Sequence, residues 1–106
     1  QGMDDVTTTI KSTDFFNATV GRGSALTGLA DDVTLRFALK DNDNQVLSAL
    51  NRHTAAALAN SDATGLNYRY TTAEVIQFYQ EAVDGIRDIE ETKDLLELEN
   101  ERGCTF

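Results

Sequence analysis

The sequence contains no proline and no tryptophan, one cysteine and one histidine. Proline is the residue that most strongly breaks helices, so its absence favours a helical chain over a loop-rich one. A single cysteine excludes an internal disulfide and fits a reducing, cytoplasmic location. One histidine without spaced cysteines does not supply the ligands of a zinc site, and we expect no cofactor.

Positive charge is scarce as well. Nine lysines and arginines stand against eighteen aspartates and glutamates, which gives a net charge of −9. Such an acidic chain disfavours nucleic acid and anionic membrane as partners and permits a basic protein. No apolar run approaches the ~18 residues of a membrane span, and the N-terminus shows no signal pattern. The expected partner is therefore another protein or a second copy of this chain.

A length of 106 residues predicts one domain at most. Gln1 and Gly2 precede the first methionine and are interpreted as an expression-tag remnant. We expect a single small helical domain over residues 3–106, in which residues 90–106 form a C-terminal helical extension. Apolar residues make up 41% of the chain, enough for a modest core without a large internal ligand cavity.

The most informative stretch predicts one long helix over about residues 72–99. Thr71, with Glu74 three positions later, forms a capping box that satisfies backbone N–H groups at a helix start. A heptad seam follows, consisting of Val75, Ala82, Ile89 and Leu96. The helix would be about 42 Å long, whereas a domain of this size has a radius of gyration of only about 13 Å. We expect the far end to extend beyond the domain and to need a partner.

The two halves of this helix differ in composition. The first half is an ordinary core helix, and its inward-facing side chains are predicted to be Val75, Phe78, Tyr79, Ala82, Val83, Ile86 and Ile89. The second half carries leucines among many carboxylates. We predict that it is an interaction surface formed by Leu95, Leu96, Leu98, Glu91, Asp94 and Glu97.

The preceding sequence predicts two or three further helices. A short helix should follow residue 14. A more strongly marked helix covers residues 44–60, where an apolar face coincides with three consecutive alanines. Residues 24–40 are ambiguous, because a helical stripe competes with a strand-like alternation over residues 33–40. We favour the helix.

Two short stretches alternate as strands do. Residues 6–11 are rich in β-branched side chains, and residues 66–70 alternate apolar and polar side chains. They could pair into a two-stranded ribbon on the helices, although residues 6–11 could equally be a disordered tail. Tyr68 and Tyr70 are either core residues or an exposed aromatic patch for a partner. The predicted fold class is mainly α, with three to four helices, a long C-terminal helix and this minor β element.

Candidate chemistry is sparse. His53 and Cys104 would be the minimal nucleophile pair, but Cys104 lies in the C-terminal tail, whereas nucleophiles are usually held on rigid elements. Residues 41–45 begin like a calcium loop, yet the glycine and the glutamate that such a loop requires are missing. The glycines around Arg22 could cradle an anion but lack the lysine of a P-loop. We predict no enzymatic activity.

The sequence favours a non-enzymatic interaction or assembly module that associates with itself or with another chain through its long acidic C-terminal helix. One alternative is a small acidic inhibitor or adaptor that binds a basic protein surface. Another is a small phage-type structural assembly protein, because helix, Tyr-x-Tyr-Thr segment and helix is a layout also seen in phage head-joining proteins. That analogy concerns the layout and involves no shared motif.

Overall fold

The computed structural model describes residues 10–40, 45–62 and 68–102, which form six helices and no strand. The helices are α1 (Phe16–Val20), α2 (Ser24–Thr27), α3 (Leu35–Leu39), α4 (Val46–Asp62), α5 (Thr72–Val83) and α6 (Ile89–Glu101). The predicted mainly helical fold is confirmed. Most of the predicted β ribbon lies outside the described residues, as does Cys104. Within them, one isolated bridge joins Phe15 to Thr34.

Helix α4 is the centre of the fold and packs against α3, α5 and α6. Leu50 and Leu58 on this helix are completely buried, and Ala55 and Ala57 are buried between them. Alanine side chains let a neighbouring helix approach closely, because the distance between packed helices depends on the side chains at the contact. The helix predicted over residues 44–60 is confirmed from Val46 onwards and continues to Asp62.

The C-terminal segment is helical, as predicted, and it begins at the predicted capping box. The hydroxyl of Thr71 accepts the N–H of Glu74 at 3.1 Å, and the carboxylate of Glu74 accepts the N–H of Thr71 at 2.9 Å. These two bonds satisfy donors that the first turn of a helix leaves free. They fix the start of α5 at Thr72.

The segment is not one continuous helix, however, because a turn over residues 84–88 separates α5 from α6. Gly85 has a φ of +85°, in the left-handed region that glycine enters without a steric penalty. Asp88 then caps α6, and its carboxylate accepts the N–H of Glu91 at 2.9 Å. One helix ends and another is capped within a few residues, so the chain changes direction here.

The change of direction folds α6 back along α4. The protein has a radius of gyration of 12.8 Å and principal extents of 35 × 29 × 24 Å. A 42 Å helix does not fit these dimensions. The prediction that the C-terminal helix extends beyond the domain is therefore wrong for the described residues, which belong to the body of the fold.

The helix favoured over residues 24–40 is divided in the same manner. Gly28, with a φ of +73°, ends α2. The chain re-enters a helix at α3, where the hydroxyl of Thr34 accepts the N–H of Phe37 at 3.2 Å. The helical interpretation of residues 33–40 is confirmed for Leu35–Leu39, while the continuous helix is replaced by two short ones.

The core is formed by side chains from α1 and from α3 to α6. The rings of Phe16 and Tyr79, both completely buried, meet edge to face with 5.3 Å between their centroids. The other large buried apolar residues are Val20, Leu35, Leu50, Leu58, Val75 and Leu96. In the described part of the chain, no helix combines the length and the apolar run that crossing a bilayer requires.

Candidate functional site

Helix α6 turns one face towards α4. Thr92, Leu96, Glu99 and Asn100 lie on this face, and each is less than a tenth exposed. The prediction that Leu96 belongs to an interaction surface is wrong, because its side chain is completely buried in the core of this chain. The heptad seam identified a real apolar stripe, but the stripe packs against the protein's own helices.

The opposite face of α6 is acidic and exposed. Its members are Glu90, Glu91, Asp94, Leu98 and Glu101, all exposed, and we call this set the acidic face of α6. Residues three and four apart lie side by side on a helix. Leu98, which is 55% exposed, therefore has Asp94 on one side and Glu101 on the other. An apolar side chain is thus presented to solvent between carboxylates.

Two predicted residues border this face. Leu95 and Glu97 are half-buried. The Nζ of Lys93 lies 2.6 Å from Oδ1 of Asp94 and 3.2 Å from Oε1 of Glu97. These carboxylates, Asp94 first, raise the pKa of Lys93. Asp94 and Glu97 are therefore partly neutralised within the helix, whereas Glu91 forms no ion pair with any described residue.

His53 faces α6 from α4. Its Nε2 lies 3.9 Å from Oε2 of Glu97, and its side chain is 17% exposed. Burial lowers the pKa of His53, and the carboxylate of Glu97 opposes that shift. Among the described residues, no cluster of histidine, cysteine or acidic side chains could hold a metal ion. His53 therefore lies in the contact between α4 and α6.

Tyr68 is half-buried and is held by a hydrogen bond to α6. Its hydroxyl donates to Oδ1 of Asn100 at 2.8 Å. The same oxygen accepts Nδ2 of Asn60 at 3.2 Å, and Nδ2 of Asn100 donates to the carbonyl of His53 at 3.0 Å. Asn100 thus joins α4, α6 and the segment before α5, and Tyr68 takes part in that packing.

Tyr70 belongs to a row of aromatic and arginine side chains. Its ring meets the ring of Phe78 edge to face, with 5.0 Å between the centroids. The guanidinium of Arg87 lies 4.8 Å from the Phe78 centroid, and that of Arg69 lies 5.7 Å from the Tyr70 centroid. Since Tyr70 and Phe78 are both half-buried, this row leaves part of each ring available to a partner.

One exposed apolar residue was predicted to be inside. The spacing of a continuous helix predicts Ile86 on the core face, but Ile86 lies in the turn between α5 and α6 and is 76% exposed. The turn, not the hydrophobic spacing, decides its position. The signals that could have located it are Gly85 and the capping pair formed by Asp88 and Glu91.

Comparison with known proteins gives a family. No curated protein matches the chain significantly. No solved structure does so either. The sequence does match the family described as the Protodermal factor 1 C-terminal domain, over residues 4–104. Because this match spans nearly the whole chain, the protein belongs to the Protodermal factor 1 C-terminal domain family.

Proposed function

We propose that this domain is a non-enzymatic interaction module that binds a basic surface of another protein through the acidic face of α6. The observation that carries the proposal is Leu98, which is 55% exposed and lies between Asp94 and Glu101 on that face. An apolar centre with a polar rim is the usual anatomy of a protein interface. The carboxylates around Leu98 would form the polar rim and would select a partner of opposite charge.

Charge favours a different protein over a second copy of this chain. In a symmetric dimer the same patch meets itself, so the carboxylates of one acidic face would approach those of the other. Like charges in such contact repel each other, and the net charge of −9 adds to the repulsion. A surface with lysines and arginines around an apolar recess avoids this repulsion and is also attracted over a longer range.

The burial of Leu96 also favours a different protein over a second copy of this chain as the partner. A coiled coil would use the seam residues as its contact, but Leu96, Val75 and Ala82 are all buried within the chain. On α6, the leucine that remains exposed for a partner is Leu98, which lies off that seam. Pairing through Leu98 therefore relies on a small anchor and on charge, which fits a heterologous partner of basic character.

A photo-crosslinking residue in place of Leu98 tests the proposal. In native extract we expect a crosslinked protein whose contacting peptide is rich in lysine and arginine, and whose yield falls steeply as salt is raised. The same photo-residue in place of Ile86, which is 76% exposed, is the control and should give little of this product. Equal crosslinking yields from both positions, or a yield from the Leu98 position that does not change with salt concentration, would contradict the proposal.

Oligomeric mass separates the two kinds of partner. We expect wild-type protein to be a monomer by light scattering. A dimer that dissociates in the Leu98→Ala variant, together with a crosslink to a second copy of the chain, would instead favour self-association through α6 and would overturn the assignment of a basic partner.

A further inference from the structure

A groove of about 550 Å³ opens beside α1. The residues of interest on its walls are Phe15, Asn17, Ala18, Arg22, Asp31 and Asp32. Its volume lies within the range of about 300–1,000 Å³ that is typical of pockets for small ligands. The groove is therefore large enough for a side chain of a partner protein together with part of a neighbouring residue.

The apolar wall of the groove is an aromatic ring on a fixed backbone. Phe15 is 49% exposed, and it pairs with Thr34 in the isolated bridge. The N–H of the next residue, Phe16, donates to the carbonyl of Val33 at 2.8 Å. Main-chain bonds thus hold the segment that carries the ring, so Phe15 presents its surface without needing to be ordered by a ligand.

The charged wall of the groove is negative. Asp31 and Asp32 are exposed, and neither forms an ion pair with a described residue. Arg22 is the cation of the groove, but its Nε and Nη2 donate to the two carboxylate oxygens of Asp84 at 3.0 and 2.7 Å. This bidentate pair neutralises Arg22. The unpaired charge that a ligand meets in the groove is therefore that of the two aspartates.

Asn17 adds an acceptor that lacks a donor. The residue is 5% exposed, and its Nδ2 donates to the carbonyl of Leu29 at 2.8 Å and to Oδ1 of Asp31 at 2.9 Å. Its own Oδ1 is buried and has no hydrogen-bond partner among the described residues. The Nδ2 of Asn17 donates to two acceptors. If the amide oxygen and nitrogen were exchanged, the oxygen would face these acceptors and would still lack a donor. Buried acceptors without a donor are uncommon and call for an explanation.

We propose that this groove binds an arginine side chain of a partner protein, with the guanidinium against the Phe15 ring and its N–H groups on Asp31 and Asp32. A guanidinium is planar, stacks on aromatic rings and carries five N–H donors. It matches the ring and the two carboxylates that line the groove. Phosphate or carboxylate ligands would be repelled by the aspartates. The proposal does not depend on the acidic face of α6.

An NMR titration of the ¹⁵N-labelled chain with N-acetyl-arginine amide tests the inference. We expect saturable shifts of amides in residues 15–23 and 29–33, with a dissociation constant on the order of millimolar. N-acetyl-citrulline amide has nearly the same shape without the charge and should bind severalfold more weakly. N-acetyl-lysine amide should also bind more weakly, because it lacks the planar fork.

Two charge-matched variants locate the site. Asp31→Asn/Asp32→Asn removes both charges but keeps an oxygen at position 31 that can accept the Nδ2 of Asn17, and it should weaken arginine binding by about 2- to 30-fold. Glu90→Gln/Glu101→Gln makes the same change in charge on α6 and should leave binding unchanged. Phe15→Leu should weaken binding while the groove carboxylates remain.

The inference is overturned by any of four results. These are citrulline binding as tightly as arginine, lysine binding as tightly as arginine, an Asp31/Asp32 variant that binds like wild type, and the absence of a saturable shift at about ten times the expected dissociation constant. Shifts confined to residues 89–101 would place the cation on α6 and would likewise overturn it, while leaving the proposed function intact.

Discussion

The hydroxyl of Tyr79 donates a 2.6 Å hydrogen bond to Oδ1 of Asn51, and neither residue is more than 2% exposed. The Nδ2 of Asn51 in turn donates to the carbonyl of Thr27 at 2.9 Å. These two bonds connect α5 to α4 and α4 to the end of α2. Burial raises the pKa of Tyr79, so its hydroxyl keeps the proton that it donates at neutral pH.

The variant Tyr79→Phe removes the donor and leaves Oδ1 of Asn51 buried without a partner. We expect the free energy of unfolding to fall by about 1–3 kcal/mol, measured by urea denaturation. Tyr70→Phe is the control, because the Tyr70 hydroxyl makes no hydrogen bond to a described residue, and it should change stability by less than about 0.5 kcal/mol. Equal effects of the two variants would show that the Tyr79 hydroxyl is not important for stability.

Leu96 and Leu98 are two residues apart and should behave oppositely. Leu96→Ala leaves a cavity in the core, so we expect a loss of about 2–5 kcal/mol in the free energy of unfolding. Leu98→Ala should change it by less than about 0.5 kcal/mol, because the side chain is largely exposed. Denaturation of both variants in parallel measures the difference. A large loss for Leu98→Ala would mean that α6 is rotated relative to the described packing.

Gly85→Ala tests the turn between α5 and α6. A Cβ at this position meets no atom within 4 Å, so the effect comes from the backbone φ of +85° alone. We expect a loss of about 1–2 kcal/mol, by chemical denaturation. Gly23→Ala is the control, because Gly23 also has open space around a Cβ but a negative φ, and its loss should be smaller. If the Gly85 variant were as stable as wild type, a continuous helix through residues 84–88 would become the better description.

His53 should make stability depend on pH. Burial lowers its pKa below the ordinary value of 6.5, helped by Arg52 and Lys93 and opposed by Glu97 and Glu101. Below pH 6.5 the unfolded chain takes up a proton that the folded chain resists. The contribution of His53 to stability is therefore complete above that pH and is lost as the pH falls towards the folded-state pKa.

Denaturation at several pH values between 7.5 and 5 measures this effect. If the unfolded chain binds one proton more than the folded chain, the free energy of unfolding changes by up to about 1.4 kcal/mol per pH unit. His53→Gln keeps the backbone carbonyl that accepts from Asn100 and should reduce the slope. The ion pair of Arg22 lowers the pKa of Asp84, so that carboxylate titrates in a more acidic range. An unchanged slope in His53→Gln would assign the pH dependence to other groups.

Local signals in the sequence were sufficient for several elements. The capping box at Thr71 and Glu74 has the predicted bonds, and α4 covers the predicted run with its three alanines. Both signals act between residues that are close in the chain, so no tertiary information is needed to interpret them. The cytoplasmic location, the lack of enzymatic activity and the phage-type layout were also read from sequence, and these stay predictions.

The points at which the predicted long helices end were harder to predict from the sequence, although their signals are local too. Gly28 and Gly85 both take a positive φ, but each lies within a run of apolar residues whose spacing favours a continuous helix. Glycine in a helix is unfavourable by only about 1 kcal/mol, so hydrophobic spacing alone could outweigh it. Asp88 caps the start of a new helix shortly after Gly85. This cap favours a turn over a continuous helix.

The sequence by itself determined that the chain is helical, acidic and capped at Thr71, because propensity, charge and capping depend on neighbouring residues. Only the tertiary structure decided what covers the leucines of residues 89–101. Periodicity shows which side chains share a face of a helix, but it does not show which surface that face meets. The turn at Gly85 directs Leu96 into the core of this chain and leaves Leu98 exposed among carboxylates, and this orientation defines the surface that we propose for a partner.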